Sequence, residues 1–313
     1  MAKKIANTKG MPKEEWLELR RHSIGGSDAG SVLGLNPWAS AITVYLDKTG
    51  KSKDKETSEA MRLGSDMEKY VAERWMEETG KKVRRDNYMY AHDEYDFITA
   101  NIDFDVIGEN AGLETKTMGS FSDYDLEGGE VPAHYYAQCQ HYMFVKGYDR
   151  MYMAVLVFQR GVYCLTIERN DEFIKDMVEQ ECDFWHNFVE AKEMPAPDGS
   201  EATDEALKEL WPSSNGTEIV DPTLDKDIKE YREFGDAIKR LKEQQNEVKE
   251  RIVIKLQEAE KGTGSDFYCT YKSSTRTSID TKRLQKELPE IYNNYKKDSV
   301  TRTLRTNKVK RTA

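Results

Sequence analysis

The chain has 313 residues, 38% of them hydrophobic, and a net charge of -10 from 47 basic and 57 acidic side chains. That length is about twice an average domain. A mean hydropathy of -0.80 and the lack of any run near 18 apolar residues exclude a helical membrane span. Cys139, Cys164, Cys182 and Cys269 stand too far apart for a C-x2-C pair, and the five histidines show no H-E-x-x-H spacing. A zinc ribbon, an iron–sulfur cluster and a zincin site are therefore not expected. The first ten residues carry two lysines but no apolar core, so they do not read as a signal peptide, and the chain is expected to be cytoplasmic.

Charge is spread unevenly. Residues 272–313 hold 12 Lys/Arg against 4 Asp/Glu, a net of +8, which leaves the first 271 residues with 35 against 53, a net of -18. An acidic body disfavours a large phosphate footprint, although a bound divalent cation reverses the local sign.

In chain order, Trp16 to Arg21 reads as a short helix. Residues 22–36 combine a Gly-Gly turn with Ser27 as a candidate N-cap for the next helix. Between Ser58 and Glu78, Ala60, Leu63, Met67, Val71 and Trp75 recur at three- and four-residue steps, an amphipathic helix. Strands are expected near 83–91 and 96–107, then a turn at Gly108 to Gly112 and a strand over Leu113 to Thr117. A helix over 132–146, a hairpin of 151–159 with 162–168 and a helix over 171–192 follow. The order implies an α/β fold, a mixed β-sheet flanked by helices.

The pattern divides the chain into a mixed α/β unit over 12–192, a linker over 195–222 rich in Pro, Gly, Ser and Asp, a helical arm over 223–262 and a small basic α+β region over 263–313. In the arm, Leu224, Ile228, Tyr231, Phe234, Ile238, Leu241, Gln245, Val248, Ile252 and Leu256 follow at steps of three and four, a coiled-coil-like seam.

The strongest chemical signal is Asp103 followed by Glu114-Thr115-Lys116. A hairpin sets the end of one strand beside the next, and alternate strand residues share a face, so Glu114 and Lys116 point the same way. Asp103 and Glu114 then converge as oxygen ligands for Mg²⁺, with Mn²⁺ expected to substitute. Lys116 beside them suits a reaction at phosphorus, where a cation orients water or offsets transition-state charge. An E-x-K triplet alone is usually a solvated strand face. The apolar surroundings, FITANIDFDVIG and AGLETKT, make an exposed face improbable here.

These residues, with others in order along the chain, are similar to the YqaJ-type viral recombinase (phage lambda exonuclease-like) family of PD-(D/E)xK nucleases. Trp16-x3-Arg20 followed by Ile24-Gly25-Gly26-Ser27-Asp28-Ala29 resembles its opening motif, and Gly64-x3-Glu68 its helix carboxylate. Asn101-Ile102-Asp103 with Leu113-Glu114-Thr115-Lys116 resembles the catalytic core, with Asn-Ile where the signature has Pro. Tyr135-x2-Gln138-x-Gln140, then Met143 and Gly147, resembles the helix after the core. The match covers about 12–192 and says little of the remainder.

The resemblance implies a restriction-endonuclease-like fold and a Mg²⁺-dependent 5′→3′ exonuclease acting on double-stranded DNA in phage-type recombination. An endonuclease and a non-cutting DNA-binding or assembly module are the alternatives. It further implies the Thr115 backbone carbonyl as a metal ligand and Glu68 at a second metal or through water. Arg20 and Ser27 are implied to grip a terminal phosphate, with Tyr135 as a further DNA contact and Gln138 beside the lysine. Glu59, Glu73, Glu77 and Glu78 share the helix with Glu68, so only its step from Gly64 and Met67 and the resemblance single it out. Expected partners are a single-strand annealing protein and further copies of the chain as a homo-oligomer, in the host cytoplasm if the protein is phage-encoded.

Overall fold

The structure is a computed structural model that describes residues 2–52, 58–119 and 124–307. It divides into two units, Met1–Trp211 and Pro212–Ala313. The first unit opens with β1 (Lys3–Asn7), α1 (Lys13–Arg21), β2 (Ile24–Gly25), α2 (Gly26–Val32), α3 (Ala41–Lys48) and α4 (Glu59–Thr79). The strands β3 (Val83–Arg85), β4 (Tyr88–Ala91), β5 (Ile98–Asn101), β6 (Phe104–Val106) and β7 (Ala111–Met118) follow. Then come α5 (Ala133–Lys146), β8 (Arg150–Val157), β9 (Gly161–Glu168), α6 (Asp171–Phe184) with a π-helical turn over Trp185–Glu190, and α7 (Glu201–Leu210).

The strands form two mixed sheets, in the orders β1-β4-β5-β2 and β3-β6-β7-β8-β9. In the second, β7 and β8 run parallel and every other pair is antiparallel. β8 shows why this sheet is central. Met151, Met153, Val155 and Val157 pack into the cluster that holds Ala137 and Met143 of α5. Tyr152, Ala154 and Leu156 face the cluster of Val71, Ala72 and Trp75 of α4. A strand apolar on both faces can only sit between two layers, and each buried Met, Val or Leu contributes about 1.5–3 kcal/mol relative to exposure.

The stretches expected as single strands at 83–91 and 96–107 each break in two. β3 and β6 belong to one sheet, β4 and β5 to the other. The bends fall at Asp86-Asn87 and at Ile102-Asp103. Period-two alternation runs through a bend unchanged, so the pattern cannot reveal it. The consequence is functional: Asp103 stands where the chain leaves one sheet for the other.

Ser27 does not cap α2. The helix begins at Gly26, and the Asp28 carboxylate accepts the Gly25 N–H at 3.0 Å. Gly26 is required by close approach, because a Cβ there would lie 2.4 Å from the Tyr142 ring. The 195–222 segment is not an open linker either. α7 is capped by Ser200 and buries Ala202, Thr203 and Ala206, and Ala206 joins the cluster of Ile24, Ile42, Tyr45 and Phe184. Flanking Pro, Gly and Asp mask a helix whose apolar face is made of small residues.

The second unit holds α8 (Leu224–Leu256), the hairpin β10 (Lys261–Thr263) with β11 (Tyr268–Thr270), α9 (Thr281–Glu287) and α10 (Pro289–Tyr295). No residue of α8 is buried. Among the described residues, no helix is long and apolar enough to cross a membrane.

Candidate active site

β6 and β7 pair Phe104 with Leu113, so Asp103 and Glu114 fall at the next step of the ladder. Leu113 points to the α4 side with Trp75, which turns Glu114 and Lys116 to the α5 side. Glu114 thus occupies a position that packing would give to an apolar residue, and only 4% of it is exposed. Its Oε1 accepts from Lys116 Nζ at 2.7 Å and from Gln138 Nε2 at 2.8 Å, while its Oε2 is buried without a hydrogen-bond partner among the described residues.

Burial and the neighbouring Asp103 carboxylate push the Glu114 carboxyl up to about 7. Burial alone would lower the Lys116 ammonium, but the Glu114 carboxylate overcomes this and holds it above the usual lysine range. Lys116 also lies 4.8 Å from the centre of the Tyr135 ring, a cation–π contact. Asp103 is fixed from one side: its Oδ2 accepts from the Thr115 N–H at 2.9 Å and from the Thr115 hydroxyl at 2.8 Å. Gln138 donates in addition to the Tyr142 hydroxyl at 2.9 Å.

A cleft of about 590 Å³ opens over Asp103 and is lined also by Arg20, Ser27, Glu68 and Tyr142. Arg20 donates to the Ser27 hydroxyl at 2.5 Å, so the expected phosphate-binding pair is brought together in the same cleft as Asp103. Tyr135 is half-buried against Lys116 and His134, and does not line that cleft. Gln140 serves the fold: it donates to the Glu168 carbonyl and accepts from the Asn170 N–H.

Glu68 lines the cleft, but its carboxylate is engaged in a short ion pair with Arg85. Burial and Asp103 raise its carboxyl, with Arg85 opposing. Among the described residues, no three His, Cys, Asp or Glu side chains form a cation-ligand group, while Glu68 and Asp103 line the same cleft. What is present, two coupled carboxylates with one orphaned buried oxygen, matches Mg²⁺. That ion takes one or two carboxylates and completes its shell with water and substrate phosphate.

Sequence reasoning missed the residues that brace this site. Lys48, at the end of α3 with a fully buried side chain, donates to Asp28 at 2.7 Å and to the Arg20 carbonyl at 2.9 Å. Burial raises the Asp28 carboxyl, and Lys48 and Arg20 together bring it below the usual range. Asp28 stood within the quoted motif, whereas a lone helix-terminal lysine carries no signal. Lys146 pairs with Asp86 at 2.8 Å, and the Asp86 N–H donates to the Asp103 carbonyl at 3.1 Å. Lys9, between β1 and α1, and Lys13, the first residue of α1, also line the cleft and were not singled out.

Comparison with known proteins places the whole chain. Residues 15–149 match the model of the YqaJ-like viral recombinase domain. The uncharacterized protein YqaJ of Bacillus subtilis (strain 168) is 36% identical over 303 residues, covering 95% of each chain. The chain belongs to the YqaJ family. Among solved structures, the crystal structure of LHK-Exo in complex with dAMP is similar at a TM-score of 0.50 and 20% identity. That likeness covers 58% of this chain and 94% of that one. The alkaline exonuclease LHK-Exo from Laribacter hongkongensis on its own matches over the same shares at a TM-score of 0.48 and 19% identity. This YqaJ-family chain therefore has a mixed α/β, restriction-endonuclease-like fold, shared with LHK-Exo. Its likeness to YqaJ extends through the second unit as well.

Proposed function

We propose that this protein is a Mg²⁺-dependent deoxyribonuclease that degrades double-stranded DNA from its 5′ ends and leaves 3′ single-stranded tails for phage-type recombination. The observation that carries the reading is the cleft in which Asp103, beside Glu114 and Lys116, shares a wall with the Arg20–Ser27 pair. Family membership and the exonuclease-like fold support it.

When bound by the Asp103 and Glu114 carboxylates and the Thr115 carbonyl, Mg²⁺, or Mn²⁺ in its place, supplies positive charge to the scissile phosphate and acidifies water. The protein's own groups do the positioning. Thr115 fixes Asp103 through two hydrogen bonds, and Gln138 fixes Glu114 through one. Lys116 stays charged and held, ready to offset the charge that develops on a phosphate oxygen. Arg20 offers its guanidinium and Ser27 its hydroxyl to a second phosphate, where a charge-assisted contact favours a dianionic terminal group over an internal diester. The 3′-tailed product is the substrate of a single-strand annealing protein, which this reading takes as the partner, in the cytoplasm of the host.

Digestion of linear and covalently closed circular duplex, each with Mg²⁺ and with EDTA, tests the proposal. Loss of linear DNA alone, and only with Mg²⁺, is the expected result. Loss of both substrates would make the protein an endonuclease, and binding without cleavage would make it an assembly module.

A further inference from the structure

We propose that α8 is a homotypic interface, on which α8 of a second copy of this chain lies antiparallel. The inference is independent of the nuclease reading. α8 is 33 residues long, and none of them is buried. A helix of about 1.5 Å rise per residue makes this a rod near 50 Å, and such helices owe most of their stability to cover on an apolar face rather than to propensity. The face exists, and the described residues of its own unit leave it uncovered. Tyr231, Phe234, Ile238, Leu241 and Val248 are 45–65% exposed along one stripe.

Two properties of the stripe select its occupant. The first is its spacing. From the midpoint between Ile238 and Leu241, the seam runs outward through Phe234, Tyr231, Ile228 and Leu224 in one direction. In the other it runs through Gln245, Val248, Ile252 and Leu256. The steps are four, three, three, four one way and four, three, four, four the other. A second α8 turned end for end about that midpoint therefore meets the seam layer by layer, with Ile238 against Leu241, Tyr231 against Val248 and Ile228 against Ile252. Gln245 is the one polar seam residue, and a single polar position of this kind fixes register at some cost in stability.

The second property is charge. Residues 224–237 hold five acidic and three basic side chains, while residues 238–256 hold six basic and three acidic. A parallel pair would set the basic halves of both copies side by side. The antiparallel pair sets each acidic half against a basic half and brings Glu230 near Arg251 of the second copy. Like charges across such an interface are unfavourable, so polarity along the helix chooses orientation.

The test uses the full-length protein. Light scattering during size exclusion should give the double variant Ile238→Glu/Leu241→Glu half the mass of the native protein. Neither residue is buried within its own chain, so the substitutions spare the fold of the monomer. Orientation is read separately, in protein whose Cys164, Cys182 and Cys269 are changed to serine. A mixture of Ile228→Cys and Ile252→Cys proteins should form the mixed disulfide on mild oxidation. A native mass unchanged by the double variant would overturn the interface. Disulfides formed by each cysteine variant with itself, and not between the two, would overturn the antiparallel arrangement.

Discussion

Thr115 holds Asp103 twice, through its backbone N–H at 2.9 Å and its hydroxyl at 2.8 Å, both to the same carboxylate oxygen. The Asp103 side chain, placed at a bend between two sheets, is thereby tied to the strand that carries Glu114 and Lys116. Loss of such an outer contact to a metal-ligating carboxylate typically costs about 10–100-fold in metal affinity or activity. Thr115→Val keeps the backbone bond and loses the hydroxyl, so its cleavage rate in limiting Mg²⁺ should fall by about 10-fold, and Thr115→Ser should recover most of it. A Thr115→Val protein with the native Mg²⁺ dependence would show that the backbone bond alone suffices.

Glu114 sets stability against activity. Its carboxyl is buried, raised to about 7 and repelled by Asp103. Glu114→Gln removes the charge without changing the shape. It should abolish cleavage by a factor of about 10²–10³ while leaving Tm unchanged or a few degrees higher, since a buried charge imperfectly paired destabilises the fold. Lys116→Met should be as inactive as Glu114→Gln. A Lys116→Met protein with native turnover in saturating Mg²⁺ would remove the lysine from the chemistry.

The Arg20–Ser27 pair gives a prediction about DNA ends. A 5′-phosphorylated duplex should be degraded faster than its 5′-hydroxyl counterpart. Hydrogen bonds to charged groups are worth about 1.5–3 kcal/mol, or roughly 10- to 100-fold in rate. Arg20→Ala should erase the difference by slowing the phosphorylated substrate. Equal rates on both ends with the native protein would dismiss a terminal-phosphate role.

His141 predicts a pH dependence of stability. Its Nε2 faces the Thr99 carbonyl and its Nδ1 the Glu181 carboxylate, each at 2.8 Å, and both partners accept, which calls for the doubly protonated ring. Burial lowers the His141 pKa, but the Glu181 carboxylate more than reverses this, so the folded value is raised. A raised value means that its contribution is complete below the unfolded pKa of about 6.5 and is lost as pH rises through the folded one. Urea unfolding should therefore show stability falling from pH 6 toward pH 9. The double variant His141→Leu/Glu181→Leu should flatten that slope, whereas Glu181→Ala alone should destabilise by about 3–5 kcal/mol at pH 6. A slope identical in the native and double-variant proteins would assign the pH dependence elsewhere.

By itself the sequence determined what depends on local period and spacing. Helical steps of three and four marked α4 and α8, and the Glu114-x-Lys116 pair was fixed to one strand face by the pleat, with Asp103 one hairpin away. Tertiary structure decided whatever depends on direction and on distant partners. Alternation at 83–107 could not show that the chain changes sheets at Asp86 and again at Asp103, because a bend leaves the period intact. Arg85 pairs with the Glu68 carboxylate from a different element, and Lys48 sits under Asp28 and Arg20 from a position 20 and 28 residues away in the chain. α7 was hidden within a stretch of turn-forming residues, since small side chains such as Ala202 and Ala206 make a buried face only once Ile42 and Phe184 stand opposite. Charges and small residues carry little intrinsic signal; their roles come from the partner that folding brings to them, and that partner is remote in sequence.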